Sequence, residues 1–163
     1  MEAKDAATDI LVNCIGGRTL QIARIVSSRF DNHLSAHGLT AQQLTLLCVI
    51  SSLQPVRPRD ILPFLKMEQS TLSRNLDRLV DNGWIEIAAD DNDQRTKLVT
   101  LTGAGVTKIG QAHGAWQAAQ RELGEAMGLE GVEQIKAIAQ AFNPLLPSDR
   151  LRGHEALEEM KRK

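Results

Sequence analysis

Gln69-Ser-Thr-Leu-Ser-Arg-Asn-Leu-Asp-Arg-Leu-Val-Asp-Asn-Gly83, followed by the charged stretch Asp90-Asp-Asn-Asp-Gln-Arg-Thr-Lys97, decides the fold. On a wheel of about 100° per residue, Leu72, Leu76, Leu79 and Val80 gather within about a third of the circle, as a helix with one buried face requires. Arg74 falls opposite them, flanked by Ser70, Asp77, Arg78 and Asp81, with Thr71 and Ser73 at the margins. Gly83 closes the helix. Ile85, Glu86 and Ile87, then Val99, Thr100 and Leu101, alternate with the period of two expected of strands. The two runs, Trp84 to Ala89 and Leu98 to Thr102, are expected to pair as a hairpin around a tip formed by residues 90–97.

Working outward, residues 5–37 are expected to be helical, with Gly16-Gly17 breaking the segment and His37-Gly38 ending it in a left-handed turn. Its apolar positions are Ile10, Leu11, Cys14, Ile22, Ile25, Val26, Phe30 and Leu34. Thr40 and Gln43 have the spacing of a capping box, and Leu39 and Leu44 that of a hydrophobic staple. The helix they open should bury Leu44, Leu47, Cys48 and Ile50 and stop before Gln54-Pro55. Pro58 suits the first turn of the next helix. Ile61, Leu62 and Leu65 give that helix a buried side, and Pro63 keeps it short or kinked. Beyond the hairpin Thr102 can cap a helix whose seam reads Val106, Ile109, His113, Trp116, Gln120, Leu123, Met127, alternating steps of three and four. A further helix from about Gly131 to Phe142 should turn Val132, Ile135, Ile138 and Phe142 inward, and Pro144 and Pro147 end it.

The fold class expected is mainly α with a small β-hairpin wing. It is a winged helix-turn-helix with N- and C-terminal dimerisation helices. The domain boundaries expected are 1–37 for the first dimerisation helices, 38–103 for the winged lobe, 104–147 for the second dimerisation helices and 148–163 for a charged tail. The seam and the long terminal helices leave more apolar surface than one subunit can cover. A two-fold dimer would also set two reading helices about 34 Å apart, one turn of DNA. Ile10, Leu11, Trp116, Leu123, Met127, Ile135 and Phe142 are the candidate interface residues.

Small hydroxyls at a helix N-terminus allow close approach to a duplex, and the helix dipole favours phosphate there. Arg74 is the candidate for base readout, because a guanidinium grips guanine O6 and N7 with two hydrogen bonds. Gln69, Ser70, Thr71, Ser73, Asn75 and Arg78 complete the helix surface offered to DNA. Arg95 and Lys97 are the wing contacts, Arg95 toward the negative minor groove, with Asp93 positioning the loop. The plainer readings are a surface helix in which Asp77 and Asp81 pair with Arg74 and Arg78, and a solvated hairpin turn.

Composition bounds the alternatives. In 163 residues with 42% hydrophobic side chains, 3% aromatic and no Tyr, the core must be built from Leu, Ile, Val and Ala. A net charge of −1 excludes a polybasic coat but not a local basic face. Cys14 and Cys48 are too few and too far apart for a disulfide framework or zinc ribbon, and both are expected as buried thiols. A peroxide-sensing role for Cys14 is the sharper alternative. His33 and His37 stand four apart without further ligands, so no metal or other cofactor is expected. No phosphate loop, nucleophile elbow or catalytic carboxylate pair is present, which speaks against an enzyme. No signal peptide or membrane span is legible, and the cytoplasm is the expected compartment.

Three motifs in this order resemble the MarR family of bacterial winged helix-turn-helix regulators. Asp93-x-Arg95-x-x-x-Val99-x-Leu101-Thr102-x-x-Gly105 is similar to the family's wing signature. Ser70-Thr-Leu-Ser-Arg74 with Asp77-Arg78-Leu79 and Gly83 resembles its recognition helix. Phe30-Asp31 through Gly38-Leu39-Thr40, then Gln43 and Leu46-Leu47, resembles the end of its first helix and its second. Together they cover about residues 14–127. The resemblance implies a homodimer joined through its terminal helices. It implies binding to a near-palindromic double-stranded DNA operator, usually to repress, with release by a small molecule or oxidant. It puts the effector in a cavity between the dimerisation helices and the DNA-binding lobe. Arg18, His33, His37 and His113 are the candidate contacts there, and Cys14 falls near the position of the family's peroxide-sensing members. A winged-fold dimer that serves protein interaction without engaging DNA is the remaining alternative.

Overall fold

The computed structural model describes residues 3–142, so the charged tail at 148–163 and Pro144 and Pro147 lie outside the described residues. The N-terminal helical stretch divides into α1 (Ala3–Asn13) and α2 (Ile15–Leu34). The break falls at Cys14, just before the Gly16-Gly17 pair that signalled it. Cys14 has extended backbone angles and caps α2, its Sγ accepting the Gly17 N–H at 3.3 Å. A 3-10 turn, Ser35–His37, leads to Gly38 at φ 66°, where a side chain would be strained.

The capping box forms as its spacing predicts. Gln43 N–H donates to Thr40 Oγ1 at 3.2 Å and Thr40 N–H to Gln43 Oε1 at 2.9 Å. It opens α3 (Ala41–Leu53), which buries Leu44, Leu46, Leu47, Ile50 and Leu53 at the centre of the core, with Leu39 beside them. Cys48 departs from expectation and is exposed, because its side of α3 borders an open cavity. Cys14 is exposed as well. Pro58 occupies the first turn of α4 (Pro58–Leu65), an eight-residue helix that buries Ile61 and Phe64. Leu62 and Leu65 are only half-buried.

Helix α5 (Gln69–Asp81) buries Leu72, Leu76 and Leu79 as read. Its buried arc is rotated from the expected one, so that Asn75 lies inside it, 6% exposed, and Val80 outside it, 40% exposed. On the same wheel Asn75 stands about 40° from Leu79 whereas Val80 stands about 100° from it, so the neighbours of Leu79 divide this way. Strands β1 (Ile85–Asp90) and β2 (Asp93–Leu101) pair antiparallel, Ile85 with Leu101 through Ala89 with Lys97. The register then shifts, Asp90 facing Asp93, so the ordered ribbon reaches further into the tip than the alternation signalled. Val56 adds a bridge to Val99, donating its N–H at 3.2 Å and receiving one at 2.8 Å, which fastens the segment before α4 to the wing.

Thr102 caps α6 (Gly103–Phe142) by accepting the Gly105 N–H at 3.1 Å, and Gly128 at φ 70° and ψ 166° interrupts the helix. The expected seam meets the subunit core only in part, through buried Leu123 and partly buried Ile109. The buried positions of α6 are Gly105, Ala112, Ala119 and Leu123, whereas Val106, His113, Trp116 and Gln120 are exposed. Small residues let α6 pack closely on α2 and α3 and carry the larger seam side chains around to an open face. Ile135, Ile138 and Phe142, expected inward, are exposed in the subunit, Phe142 at 84%. Ile10, Leu11 and Ile15 on α1 and α2 are exposed likewise. No helix among the described residues is long and apolar enough to cross a membrane.

Candidate nucleic-acid interface

Helix α5 shows solvent Gln69, Ser70, Ser73, Arg74 and Arg78, with Thr71 half-buried at the edge. No side chain caps its N-terminus, which leaves the first amides and the positive end of the helix dipole to an external anion. Arg74 Nε donates to the Ser70 carbonyl at 3.2 Å, laying the side chain along the helix toward that N-terminus. Neither Arg74 nor Arg78 forms an ion pair with Asp77 or Asp81 among the described residues, so the arginines of this face are uncommitted. Asn75 is the exception among the residues expected to face DNA. Its Nδ2 donates to the Thr71 carbonyl at 2.8 Å and to Gln42 Oε1 at 3.5 Å, tying α5 to α3 from the inside.

The wing tip is organised by its own acids. Asp93 Oδ2 accepts the Thr96 hydroxyl at 2.8 Å and Oδ1 the Arg95 N–H at 3.0 Å. The Thr96 bond first, then the Arg95 amide, and more weakly the charge of Arg57, hold the Asp93 carboxyl below its usual range. Asp90 Oδ1 accepts the Asn92 N–H at 3.0 Å. Arg95 and Lys97 project from this frame, both exposed. Arg57, at the start of α4 and within electrostatic reach of Asp93, is a further cation of this surface. Sequence reading missed it, because long-range ties such as the Val56–Val99 bridge and the Leu101 N–H to Gln54 Oε1 bond bring it beside the wing.

The candidate interface residues divide. Ile10, Leu11, Trp116, Ile135 and Phe142 are exposed and Met127 is half-buried, so these have apolar surface to give. Leu123 does not, being 7% exposed on the small-residue stripe of α6.

A cavity of about 470 Å³ opens between α2, α3 and α6. Phe30 and Leu34 line it from α2, Ala41, Leu44, Thr45 and Cys48 from α3, and Ile109, His113 and Trp116 from α6. His113 stacks on Trp116, centroids 5.7 Å apart and planes at 19°. Of the effector candidates only His113 lies here. Cys14 and Arg18 sit at the start of α2, Arg18 reaching the Val12 carbonyl at 3.5 Å. His33 is engaged with Glu122 at 2.7 Å, and the His37 carbonyl receives Lys108 Nζ at 3.1 Å. Glu122 is held below the usual carboxylate range chiefly by the His33 bond, with Arg29 adding to it. Cys48 and Thr45 were missed because their place in the wall depends on how α6 packs. Crowding at that wall pushes the Cys48 thiol up. A second cavity, of about 540 Å³, lies toward α5 and shares Ala41 and Thr45 with the first; Gln42, Asn75 and Arg78 line it too. No group of three His, Cys, Asp or Glu side chains suited to a metal ion occurs among the described residues.

Comparison with known proteins places this arrangement. Residues 39–97, spanning α3 to the wing, match the MarR family model. The multiple antibiotic resistance protein MarR of Escherichia coli is 35% identical over 98 residues, 60% of this chain and 68% of that protein. Its Salmonella typhimurium counterpart is 37% identical over 83 residues, 51% of this chain and 58% of its own. A crystal structure of a mutant E. coli MarR complexed with operator DNA superposes with a TM-score of 0.72 at 26% identity, over 85% of this chain and 98% of that one. The wing, the helix before it and the long flanking helices thus agree in sequence and backbone with one group of proteins, and the chain belongs to the MarR family of transcriptional regulators.

Proposed function

We propose that the protein is a homodimeric, sequence-specific DNA-binding regulator, a cytoplasmic repressor that leaves a near-palindromic operator when a small-molecule effector binds. It performs no catalysis of its own. The observation that carries this reading is the unpaired, exposed face of α5 bearing Ser70, Ser73 and Arg74 beside a wing that projects Arg95 and Lys97. Arg74 reads a base edge, Gln69, Ser70, Thr71, Ser73 and Arg78 fix the helix in the groove, Arg95 enters the flanking minor groove and Lys97 holds the backbone. Asp93 sets the loop from which Arg95 extends. The relative crystallised on operator DNA supports the same use of the fold.

Dimerisation joins residues 1–37 and 104–147 of two copies around the lobes at 38–103. The exposed Ile10, Leu11, Ile135 and Phe142 support this, being apolar side chains with nothing over them in one subunit. The effector occupies the cavity between α2, α3 and α6. Gln42, the partner of Asn75, follows Ala41 of the cavity wall on α3, so displacement of α3 reaches α5 directly.

In-vitro selection from a random duplex pool tests the reading. Inverted half-sites centred about one helical turn apart are expected. A dimer that enriches no duplex at low salt would overturn it in favour of a protein-interaction module. One observation favours a second trigger. Cys14 is exposed at the N-terminus of α2, its sulfur already accepting an amide, a position open to oxidants. DNA release by peroxide that Cys14→Ser prevents would identify an oxidant-sensing repressor.

A further inference from the structure

We infer that Arg57 is a further DNA contact, a phosphate clamp at the start of α4 that grips the duplex backbone between the reading helix and the wing. The inference rests on the reading of the chain as a DNA-binding regulator and adds to it a residue from a third element. Arg57 is the N-cap residue of α4, with φ −75° and ψ 141°. Those are the extended angles from which Ser, Thr, Asp or Asn accepts an amide of the first turn. A guanidinium has no acceptor to offer, and no side chain caps this helix. Its positive charge also stands at the positive end of the helix dipole, which disfavours it there. Local rules are broken chiefly where function sets the residue, and Arg57 breaks two at once. A phosphate beside it would neutralise the guanidinium and suit the helix end as well.

No acid among the described residues takes up the charge. Arg57 is half-buried and forms no ion pair or side-chain hydrogen bond among them. Asp60, in the first turn of the same helix, turns to Arg59 at 3.7 Å. Asp93 feels Arg57 only weakly, its oxygens being taken by Thr96 and the Arg95 amide. Two ties fix the segment that carries Arg57. Val56 exchanges backbone hydrogen bonds with Val99 at 3.2 Å and 2.8 Å, and Gln54 Oε1 accepts the Leu101 N–H at 2.7 Å. Both engage the edge of β2 that β1 leaves free. Arg57, one residue beyond Val56, therefore stands beside the strand that bears Arg95 and Lys97. Helix α5 packs on α4 and on β1, and α4 on β2, so Arg57 lies where the two elements assigned to DNA are joined.

The test is Arg57→Ser in the full chain, read by fluorescence anisotropy on a selected duplex over a salt series and by urea unfolding. Serine supplies the cap and removes the charge, so the two readouts should part. The unfolding midpoint should hold or rise. Affinity should fall several-fold on every duplex alike, and the gap to the parent should narrow by about 3.5-fold between about 50 and 200 mM salt, the share of one phosphate contact. Arg57→Gln, which removes the charge without adding a cap, should show the same change of slope. Arg57→Lys should keep the slope of the parent. A merely structural arginine would lower the midpoint and leave the slope unchanged. A parent-like slope in the serine and glutamine variants, or a lysine variant that loses slope as they do, would overturn the inference. If the parent binds no duplex at low salt, the regulator reading falls and this inference with it. If the parent binds and Arg57→Ser matches it at every salt concentration, only this inference falls.

Discussion

Gly105→Ala tests how the wing is joined to α6. A Cβ at this position would overlap the Trp84 carbonyl oxygen outright and lie 3.0 Å from its carbon and 3.1 Å from a Leu101 methyl. The first obstacle is backbone and cannot rotate away. That same oxygen accepts the Thr102 N–H at 3.1 Å, and Thr102 in turn donates its hydroxyl to the Gly83 carbonyl at 2.7 Å. Room for one methyl therefore means moving α6 off the start of β1 and loosening the cap. Overpacking of this kind costs about 1–3 kcal/mol. A weakened backbone hydrogen bond adds about 0.5–1.5 kcal/mol, and the helix preference of Ala over Gly returns about 1 kcal/mol. The expected net loss is about 2 kcal/mol, read as a lowered urea midpoint at fixed protein concentration. Gly110, one and a half turns further along α6, has nothing within 4 Å of its would-be Cβ, so Gly110→Ala should be neutral or stabilising by up to about 1 kcal/mol. A Gly105→Ala protein as stable as the parent, or two alanine variants shifting alike, would refute the close approach.

Arg74→Ala should weaken the selected duplex by about 1–3 kcal/mol and relax the base preference at one position of each half-site; unchanged affinity in a gel shift removes Arg74 from base reading. Lys97→Ala should instead weaken all duplexes alike and lower the slope of log affinity against log salt by about one. The Asp93 carboxyl, held below its usual range, contributes order to the wing that is complete above the ordinary aspartate value and lost as pH falls through the lower folded value. The Arg95 amide resonance should therefore stay in its folded position down to about pH 4 and move only below it, whereas Asp93→Asn should shift it at neutral pH. Phe142→Glu, at an exposed apolar position, should shift the light-scattering mass from dimer toward monomer; an unchanged mass takes Phe142 out of the interface.

What could be read from sequence was whatever rests on neighbours a few residues apart. The Thr40–Gln43 capping box, Pro58 opening α4, Gly38 and Gly83 closing their segments and the alternation of β1 and β2 are local, and each forms. Long-range packing was less legible. Val80 was taken inward and Asn75 outward on side-chain polarity, but the buried arc of α5 is set by what packs on it, and Gln42 of α3 provides Asn75 with a polar partner. In α6 the large residues marked a seam, while close packing selected the small ones, Gly105 against the Trp84 carbonyl and Ala112 and Ala119 on the buried side of the helix. A single bridge such as Val56–Val99 has no periodicity to betray it, so Arg57 went unnoticed beside the wing. The effector candidates were chosen for chemistry, and only His113 lies where three helices leave a cavity.

A net charge of −1 and an acid-rich wing are hard to reconcile with DNA only if charge is averaged over the molecule. Phosphates respond to charge within about a Debye length, roughly 8–10 Å, so placement decides. Of the three wing acids, Asp93 spends both oxygens on Thr96 and the Arg95 amide, and Asp90 turns an oxygen back to Asn92. These carboxylates shape the turn that projects Arg95, and Arg57 offsets the charge of Asp93 from behind. Glu122, by contrast, pairs with Arg29 at 3.2 Å and hydrogen-bonds the His33 ring at 2.7 Å. Asp90, Asp93 and Glu122 are thus spent on the wing turn and on Arg29, and Arg74, Arg78, Arg95 and Lys97 form no ion pair among the described residues. A chain near neutrality can therefore carry a locally basic reading face, since two of the acids that lower its net charge, Asp90 and Asp93, are spent on the turn that projects Arg95.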